Sequence, residues 1–498
     1  MNKQIIIDVH SWETRAALLE DGKVAELFFD RQTERGVGGA IFLGKVIRVL
    51  PGMQAAFIDI GLERAAFLYL SETIEALDEL LDGGTGMKAP LPGSSAKGKG
   101  EIALHLKRGK DVLVQVTREP ISAKGARLTS HISLPGRSLV LLPTIDRIGI
   151  SRRIEDEKER RRLREIIGEI KPDGMGLIVR TEGWGAEKDD FIRDRDGLLA
   201  LYREIIKSRE ATRAPALIHQ ELDLPLRLAR DLLNGEIERL EVNSPSEFSR
   251  ISGFVALFMP ELKRKVVLYK GETPLFTHYG VEAEIDRLLQ RRVWLKSGGY
   301  IIIEETEALT VIDVNTGKFV GKKSLEDTIL KTNLEAVSEI AKQLRLRNIG
   351  GIIIIDFIDM EQTRNREAVF SALEEATKRD RKRTNILKIS ELGIVEMTRK
   401  RTGENTAQIL TEPCPFCAGN GHIKSKRSVA FKIFQEISGE KLDNGTKTIV
   451  TVHPEVAAIL YGDLRQEVEG LEQSLGIGIV IRPSENMRED QYTITYRQ

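Results

Sequence analysis

Two short segments carry the residue types that could do chemistry. Val311-Ile312-Asp313-Val314-Asn315-Thr316-Gly317-Lys318 and Gly350-Gly351-Ile352-Ile353-Ile354-Ile355-Asp356-Phe357-Ile358-Asp359-Met360 each run an apolar stretch into carboxylates. An unbroken apolar run closed by Asp is the pattern of a strand buried on both faces, whose end loses ladder partners and lets side chains converge on a ligand. Two such ends side by side would present Asp313 and Asp356 to one ion. With oxygen donors only, the ion is hard, Mg2+ before Mn2+, because zinc would recruit Cys or His. That is phosphoryl-transfer chemistry. A lone Asp at a strand end is ordinary turn chemistry, but Asn315 follows two residues later and shares the face of Asp313 by strand alternation. A carboxylate can hold the metal while the amide orients water or phosphate. Asp359 is read as a helix cap or a group supporting the ligands.

A second constellation is Cys414-Pro415-Phe416-Cys417-Ala418-Gly419-Asn420-Gly421, which holds the only two cysteines of the chain. It looks like half of a zinc knuckle, and tetrahedral zinc wants four ligands. His422 is near in sequence, but the economical solution is a zinc shared by Cys414 and Cys417 of two chains across a two-fold interface. A redox pair and a bare turn with free thiols are the rival readings.

The elements that must position these residues follow from periodicity. Residues 4 to 30 read as two or three strands around the turn Glu20-Asp21-Gly22-Lys23. Gly39 to Ser71 shows short strands punctuated by Gly44, Pro51-Gly52 and Gly61, joined later by Val112-Leu113-Val114-Gln115-Val116, which is small-barrel spacing. The Gly-, Ser- and Lys-rich stretch from 82 to 100 reads as a loop inserted in that barrel. Arg152 to Ile170 is a charged helix with a solvated face, closed by Lys171-Pro172-Asp173-Gly174. From Ser324 as N-cap, a helix places Leu330, Leu334, Val337, Ala341 and Leu344 on one stripe and ends before Gly350-Gly351. Strand, helix, parallel strand is the implied unit, so both carboxylates fall at one edge of one sheet. After Cys417, a helix over Ser428 to Ile437, strands near Thr448 to Val452 and Ile477 to Ile481, and a helix between them predict a small α/β domain.

The chain of 498 residues is long enough for several cores. Lys plus Arg equals Asp plus Glu at 75 each, so any polyanion site must be built from local patches rather than a global field. The N-terminus lacks a signal-peptide apolar core and no apolar run approaches the roughly 20 residues of a membrane helix, which predicts a cytoplasmic protein without a membrane span.

Within the presumed barrel, the segment from Gly44 to Gly61 resembles an S1 RNA-binding domain of the OB class. Phe57 and Phe67 are the candidate stacking faces, with Lys45, Arg48 and Arg64 to hold the backbone; the competing reading is that either Phe is core. Leu177-Ile178-Val179-Arg180-Thr181-Glu182-Gly183 runs a strand into a guanidinium fork and a hydroxyl suited to a phosphate. Lys124-Gly125-Ala126-Arg127-Leu128-Thr129 could bring backbone close to the same anion through Gly125. Lys318, Lys322, Lys323 and Arg381-Lys382-Arg383 are either contacts for an RNA backbone or ordinary solvated surface.

Taken in order, the S1-like segment, Val179-Arg180-Thr181, Ile312-Asp313-Val314-Asn315, Ile355-Asp356-Phe357-Ile358-Asp359-Met360 and the Cys-Pro-x-Cys-x-Gly-x-Gly run resemble the ribonuclease E/G family over nearly the whole chain. The resemblance implies a multidomain α/β fold with an inserted all-β S1 (OB-fold) barrel, ribonuclease H-like and deoxyribonuclease I-like subdomains, a zinc-link and a small C-terminal α/β domain. Placed on this chain, these are ribonuclease H-like parts at 1–38 and 213–280, the S1 domain at 39–120, a 5′-sensor region at 121–212, the catalytic domain at 281–403, the zinc-link at 404–422 and the terminal domain at 423–498. It implies a magnesium-dependent, single-strand-specific endoribonuclease of rRNA maturation and mRNA decay, stimulated by a 5′-monophosphate and leaving 5′-phosphate and 3′-hydroxyl ends. By residue it implies Mg2+ on Asp313 and Asp356 with Asn315 orienting the scissile phosphate or water. It also implies 5′-phosphate sensing by Arg180 and Thr181 with Gly125 and Leu128, RNA contact by Phe57, Phe67 and Lys45, and Zn2+ on Cys414 and Cys417 joining a homodimer or homotetramer. The absence of a long Arg- and Pro-rich tail favours the ribonuclease G-like branch, and Arg118-Glu119-Pro120 stands where a more lysine-rich loop is expected. The alternatives are a non-catalytic S1-type RNA-binding protein and a metal-dependent phosphatase or deoxyribonuclease.

Overall fold

A computed structural model describes residues 2–31, 36–69, 106–120, 125–317, 325–378, 380–390, 393–401, 403–417, 419–440, 443 and 445–497. They form two compact units, Met1–Leu410 and Thr411–Gln498.

In the first unit, strands Lys3–Val9, Glu13–Glu20 and Lys23–Arg31 form the expected antiparallel meander. Ile237–Val242 and Val266–Leu268 add parallel to its free edge, so one five-stranded mixed sheet is assembled from two distant stretches of chain. Its strands are apolar on both faces: Ile5 and Ile7 enter one core and Ile6, Ala17 and Leu19 another.

The barrel spacing is realised as a closed ring of five strands. Ile41–Leu50 pairs with Ala55–Asp59 and Asp111–Arg118, Ala66–Tyr69 joins Ala55–Asp59 to Arg127–Thr129, and Arg127–Thr129 returns to Asp111–Arg118. Closure removes free edges, and alternate residues Val46, Ala56, Ile58, Ala66, Leu68 and Leu128 fill the inside. The ring is thus completed by a strand beyond residue 120, where sequence reading ended it. The stretch from 82 to 100 lies outside the described residues.

A four-stranded sheet, Leu134–Pro135, Leu139–Leu142, Ile148–Ile150 and Gly176–Val179, packs with helices Glu157–Ile170 and Lys188–Ala211. The charged helix starts later than Arg152, because the Asp156 side chain accepts from the N–H groups of Lys158 and Glu159 and caps it there.

The carboxylate segments lie in a six-stranded sheet ordered Arg292–Trp294, Tyr300–Glu305, Leu309–Asn315, Gly351–Asp356, Ile394–Arg399, Thr384–Ile386. Helices Leu325–Leu346 and Thr363–Thr377 cover one face, burying Ile312, Val314, Ile353, Ile355, Val395 and Met397 against Val337, Ile340, Val369 and Leu373. The other face is open, and Ile352 on it is 49% exposed. These strands are therefore buried on one face, not both. Of the expected helical stripe, Val337 and Leu344 are buried and Leu330 and Leu334 pack half-buried against the same core, while Asn333, Ala336 and Ile340 widen the inward face. Ser324 lies outside the described residues.

The second unit holds helix Lys426–Gly439 and a three-stranded sheet ordered Gly478–Pro483, Lys447–Val452, Tyr492–Arg497. Two helices, Pro454–Tyr461 and Arg465–Leu475, stand where one was expected, and the last strand was not foreseen. Among the described residues, no helix is long and apolar enough to cross a membrane.

Candidate active site

The strand, helix, parallel strand unit forms as the spacing predicts. Leu309–Asn315 and Gly351–Asp356 run parallel in a register that sets Asp313 directly beside Asp356. Both side chains stand on the open face, in a cleft of about 300 Å³ lined by Asp313, Asn315, Asp356 and Asp359 among others. The Asn315 Nδ2 donates to Asp313 Oδ2 at 2.8 Å, so the amide expected on that face fixes the carboxylate's orientation. Burial, followed by the negative charges of Asp313 and Asp359, raises the Asp356 carboxyl above its ordinary range. A carboxyl group whose ionisation is opposed by its neighbours makes a site that a cation would relieve. Among the described residues no group of three or more His, Cys, Asp or Glu has metal-holding geometry. The donor set is two adjacent carboxylates with room for water, which suits Mg2+ better than ions that need a full protein cage.

Sequence reasoning missed what holds this edge together. Asn333, fully buried on helix Leu325–Leu346, donates through Nδ2 to the Ile358 carbonyl at 2.8 Å and accepts from the Ile358 N–H at 3.1 Å. This two-point clamp fixes the backbone between Asp356 and Asp359. The only signal was an Asn inside a helical apolar pattern. Asp359 does not cap the next helix, whose N-cap is Gln362; it faces the cleft and acts on Asp356. Gly393, at φ +77°, lies under it, where an added Cβ would come within 3.2 Å of Asp359 Oδ1.

On the barrel, Phe57 and Phe67 are cross-strand partners that alternate with buried Ile58 and Leu68, so both point outward and neither is core. Their ring centroids are 5.2 Å apart, and Tyr69 extends the cluster at 4.6 Å from Phe67. Arg48 pairs with Phe57 and Arg127 with Phe67 in neighbouring strands, giving one row of cation, aromatic, aromatic, cation across the barrel surface. Lys45 is exposed on the same strand as Arg48, beside Asp59.

Arg180 and Thr181 follow strand Gly176–Val179, as expected. Arg180 Nη2 donates to Asp231 Oδ1 at 2.8 Å, and the Thr181 and Ser151 hydroxyls lie 3.0 Å apart. Burial alone would raise the Asp231 carboxyl, but Arg230 and Arg180 hold it below its ordinary range. The guanidinium fork is therefore pre-oriented by a charged partner. Gly125 and Leu128 lie at the barrel: Leu128 is fully buried in it, and an added Cβ on Gly125 would lie 2.2 Å from the Ala65 carbonyl oxygen.

Of the basic runs, Lys318, Lys322 and Lys323 lie outside the described residues. Arg381 is engaged with Glu26 at 2.5 Å, and Lys382 is half-buried against Asn348 and Arg399, so neither is merely solvated surface.

In the second unit, the Cys417 and Phe416 backbone N–H groups pull the Cys414 thiol below its ordinary range, with Arg488 adding to the effect. The Gly421 N–H donates to Cys417 Sγ at 3.3 Å. A turn that feeds N–H groups to the Cys414 sulfur favours the deprotonated form that a metal ligand takes. Both cysteines precede helix Lys426–Gly439 and the first strand of the unit, so they do not sit at a strand-to-helix junction.

The model of the Ribonuclease E/G family matches residues 133–402, and a model described as RNase E/G, Thioredoxin-like domain matches residues 413–497. Ribonuclease G of Haemophilus influenzae (strain ATCC 51907 / DSM 11121 / KW20 / Rd) is 40% identical over 99% of this chain and 99% of its own length. Ribonuclease G of Escherichia coli (strain K12) is 38% identical over the same shares. Ribonuclease E of Escherichia coli (strain K12) is 37% identical over 99% of this chain but 46% of its own length.

Proposed function

The chain belongs to the ribonuclease E/G family and is an endoribonuclease, and on that premise we propose that it cuts single-stranded RNA with Mg2+ held by Asp313 and Asp356. The observation that carries this reading is the in-register pair of carboxylates at the ends of neighbouring parallel strands. Asn315 holds one oxygen of Asp313, which leaves the second free for the ion and keeps the amide beside the scissile phosphate or water. When bound there, Mg2+ supplies an activated water and polarises the phosphodiester, which leaves 5′-phosphate and 3′-hydroxyl ends. Asn333 keeps Asp356 and Asp359 at fixed separation.

The row of Phe57 and Phe67 with Arg48 and Arg127, with Lys45 near one end, takes bases on its rings and phosphates on its cations, a sequence-tolerant mode that suits unpaired RNA. Arg180 and Thr181 receive a 5′-terminal monophosphate, whose charge competes with Asp231 for the fork, so that a monophosphorylated end stimulates cleavage. The expected substrates are rRNA precursors and mRNA in the cytoplasm. Cys414 and Cys417 of two chains share a zinc ion and link a homodimer or homotetramer, since one chain offers only two thiolates.

The test compares Mg2+-dependent cleavage of one AU-rich RNA carrying a 5′-monophosphate or a 5′-triphosphate with the matching DNA. Internal cuts in RNA that favour the monophosphate support the reading. RNA that binds but stays intact supports a binding module, and equal cleavage of DNA supports a less selective phosphodiesterase.

A further inference from the structure

Beside the carboxylates, on the open face of their sheet, lies a group of side chains with no role in the reading above. The sheet begins with the hairpin Arg292–Trp294 and Tyr300–Glu305. Its register sets Trp294 opposite Tyr300, and Tyr300 opposite Asn315 on the next strand. Arg292 is likewise opposite Ile302, and Ile302 opposite Asp313. Cross-strand partners share a face. Trp294, Tyr300 and Asn315 therefore form one row, and Arg292, Ile302, Asp313 and Asp356 a second, beside it. At a strand spacing of about 4.8 Å, Trp294 stands about 10 Å along the sheet from Asn315.

Trp294 is not a core residue displaced outward. In Arg292-Val293-Trp294-Leu295, Val293 and Leu295 pack into the helix-covered core, and Trp294 on the opposite face is 61% exposed. Tyr300 meets it edge-on with centroids 5.3 Å apart, and the Arg292 guanidinium lies 4.5 Å from the Tyr300 ring centre and 5.6 Å from that of Trp294. Among the described residues no carboxylate pairs with Arg292. The hairpin is held against the strand of Asp313: an added Cβ on Gly317 would lie 2.4 Å from the Gly298 carbonyl oxygen, and one on Gly299 would lie 2.8 Å from that of Asn315.

We propose that Trp294, backed by Tyr300 and Arg292, is a stacking subsite for one base of single-stranded RNA next to the scissile phosphate. An exposed ring beside a guanidinium that no described carboxylate neutralises matches the alternation of base and phosphate along such a strand. Stacking on a π-face selects for a base without selecting which one. Held there, the base fixes the direction in which the strand crosses Asp313 and Asp356. The inference rests on the nuclease reading and adds a substrate contact to it.

The test uses the full chain, with Mg2+, on a single-stranded RNA cut at one place, and walks one abasic nucleotide through the positions flanking that place. In the parent, an abasic nucleotide at one flanking position raises KM by roughly five- to a hundredfold. Trp294→Ala raises KM for the intact RNA to a similar extent with kcat within about twofold, because the lost contact is made equally in ground and transition states. In that variant the abasic penalty at the same position disappears, and Trp294→Phe restores most of the affinity. A Trp294→Ala enzyme with parental KM, or one whose abasic penalties match the parent at every position, overturns the subsite. A parent that leaves RNA uncut overturns the nuclease reading instead.

Discussion

Replacing Asn333 with leucine tests how far the geometry of the carboxylate pair depends on a residue that never meets the substrate. Leucine keeps the branched shape and the number of heavy atoms but removes both hydrogen bonds to Ile358, leaving its N–H and C=O without the partners they have at 3.1 and 2.8 Å. A fully buried backbone group left unsatisfied costs about 1 to 3 kcal/mol, so with Ile358 only half-buried the native loop loses at most about 2 to 6 kcal/mol unless it moves. Movement relieves that cost and displaces Asp359 and the end of the Asp356 strand. Groups that orient metal ligands typically matter by about 10- to 100-fold in metal affinity. The expected result is therefore a Mg2+ requirement for cleavage raised by about tenfold or more, with kcat at saturating Mg2+ recovering toward the parent. The assay is cleavage rate against Mg2+ concentration, with thermal unfolding followed alongside. A variant less stable than the parent but with an unchanged Mg2+ requirement would refute the clamp.

Three further outcomes follow from other parts of the molecule. Burial, with Arg399 adding, pushes the Lys382 ammonium from its ordinary 10.5 down to about 8. The unfolded chain then binds more protons than the folded one between those values, so stability rises with pH across about 8 to 10.5, by up to about 3 kcal/mol; in Lys382→Met, denaturant melts at a series of pH values should lose that rise. Phe67→Ala should raise KM for single-stranded RNA by roughly 5- to 100-fold and leave unfolding nearly unchanged, since the ring lies on the barrel's outer face; parental KM, read from initial cleavage rates, would count against the stacking row. Stripping zinc with a strong chelator should convert the oligomer to single chains on gel filtration, as Cys414→Ser with Cys417→Ser should; an oligomer unchanged after complete zinc removal would sink the shared-ion model.

The parallel placement of Asp313 and Asp356 was legible because two apolar runs with a helix-length segment between them admit few arrangements, and a right-handed crossover brings their C-terminal ends together. Asn315 was legible through strand alternation alone. Asn333 was not, because a polar residue in a helical stripe declares a buried partner without saying which backbone it meets. The stripe of Leu330, Leu334, Val337, Ala341 and Leu344 was legible from its spacing, since Val337 and Leu344 are buried and Leu330 and Leu334 pack against the same core, but the buried Asn333 and Ala336 beside it were not. Trp294 and Tyr300 stayed hidden because their nearness to Asn315 lies in hairpin register, which depends on the turn more than on composition. The barrel was read from its glycines and short strands, but the strand that closes it, Arg127–Thr129, is three residues long and carries no periodicity.

The role of Asp313 and Asp356 is decided by single-turnover cleavage of a 5′-monophosphorylated single-stranded RNA in Mg2+ by the parent, Asp313→Asn and Asp356→Asn, with the RNA affinity of each measured in parallel. Both variants should bind RNA as the parent does and lose cleavage. Cleavage retained in either variant, at the Mg2+ concentration that serves the parent, would contradict it.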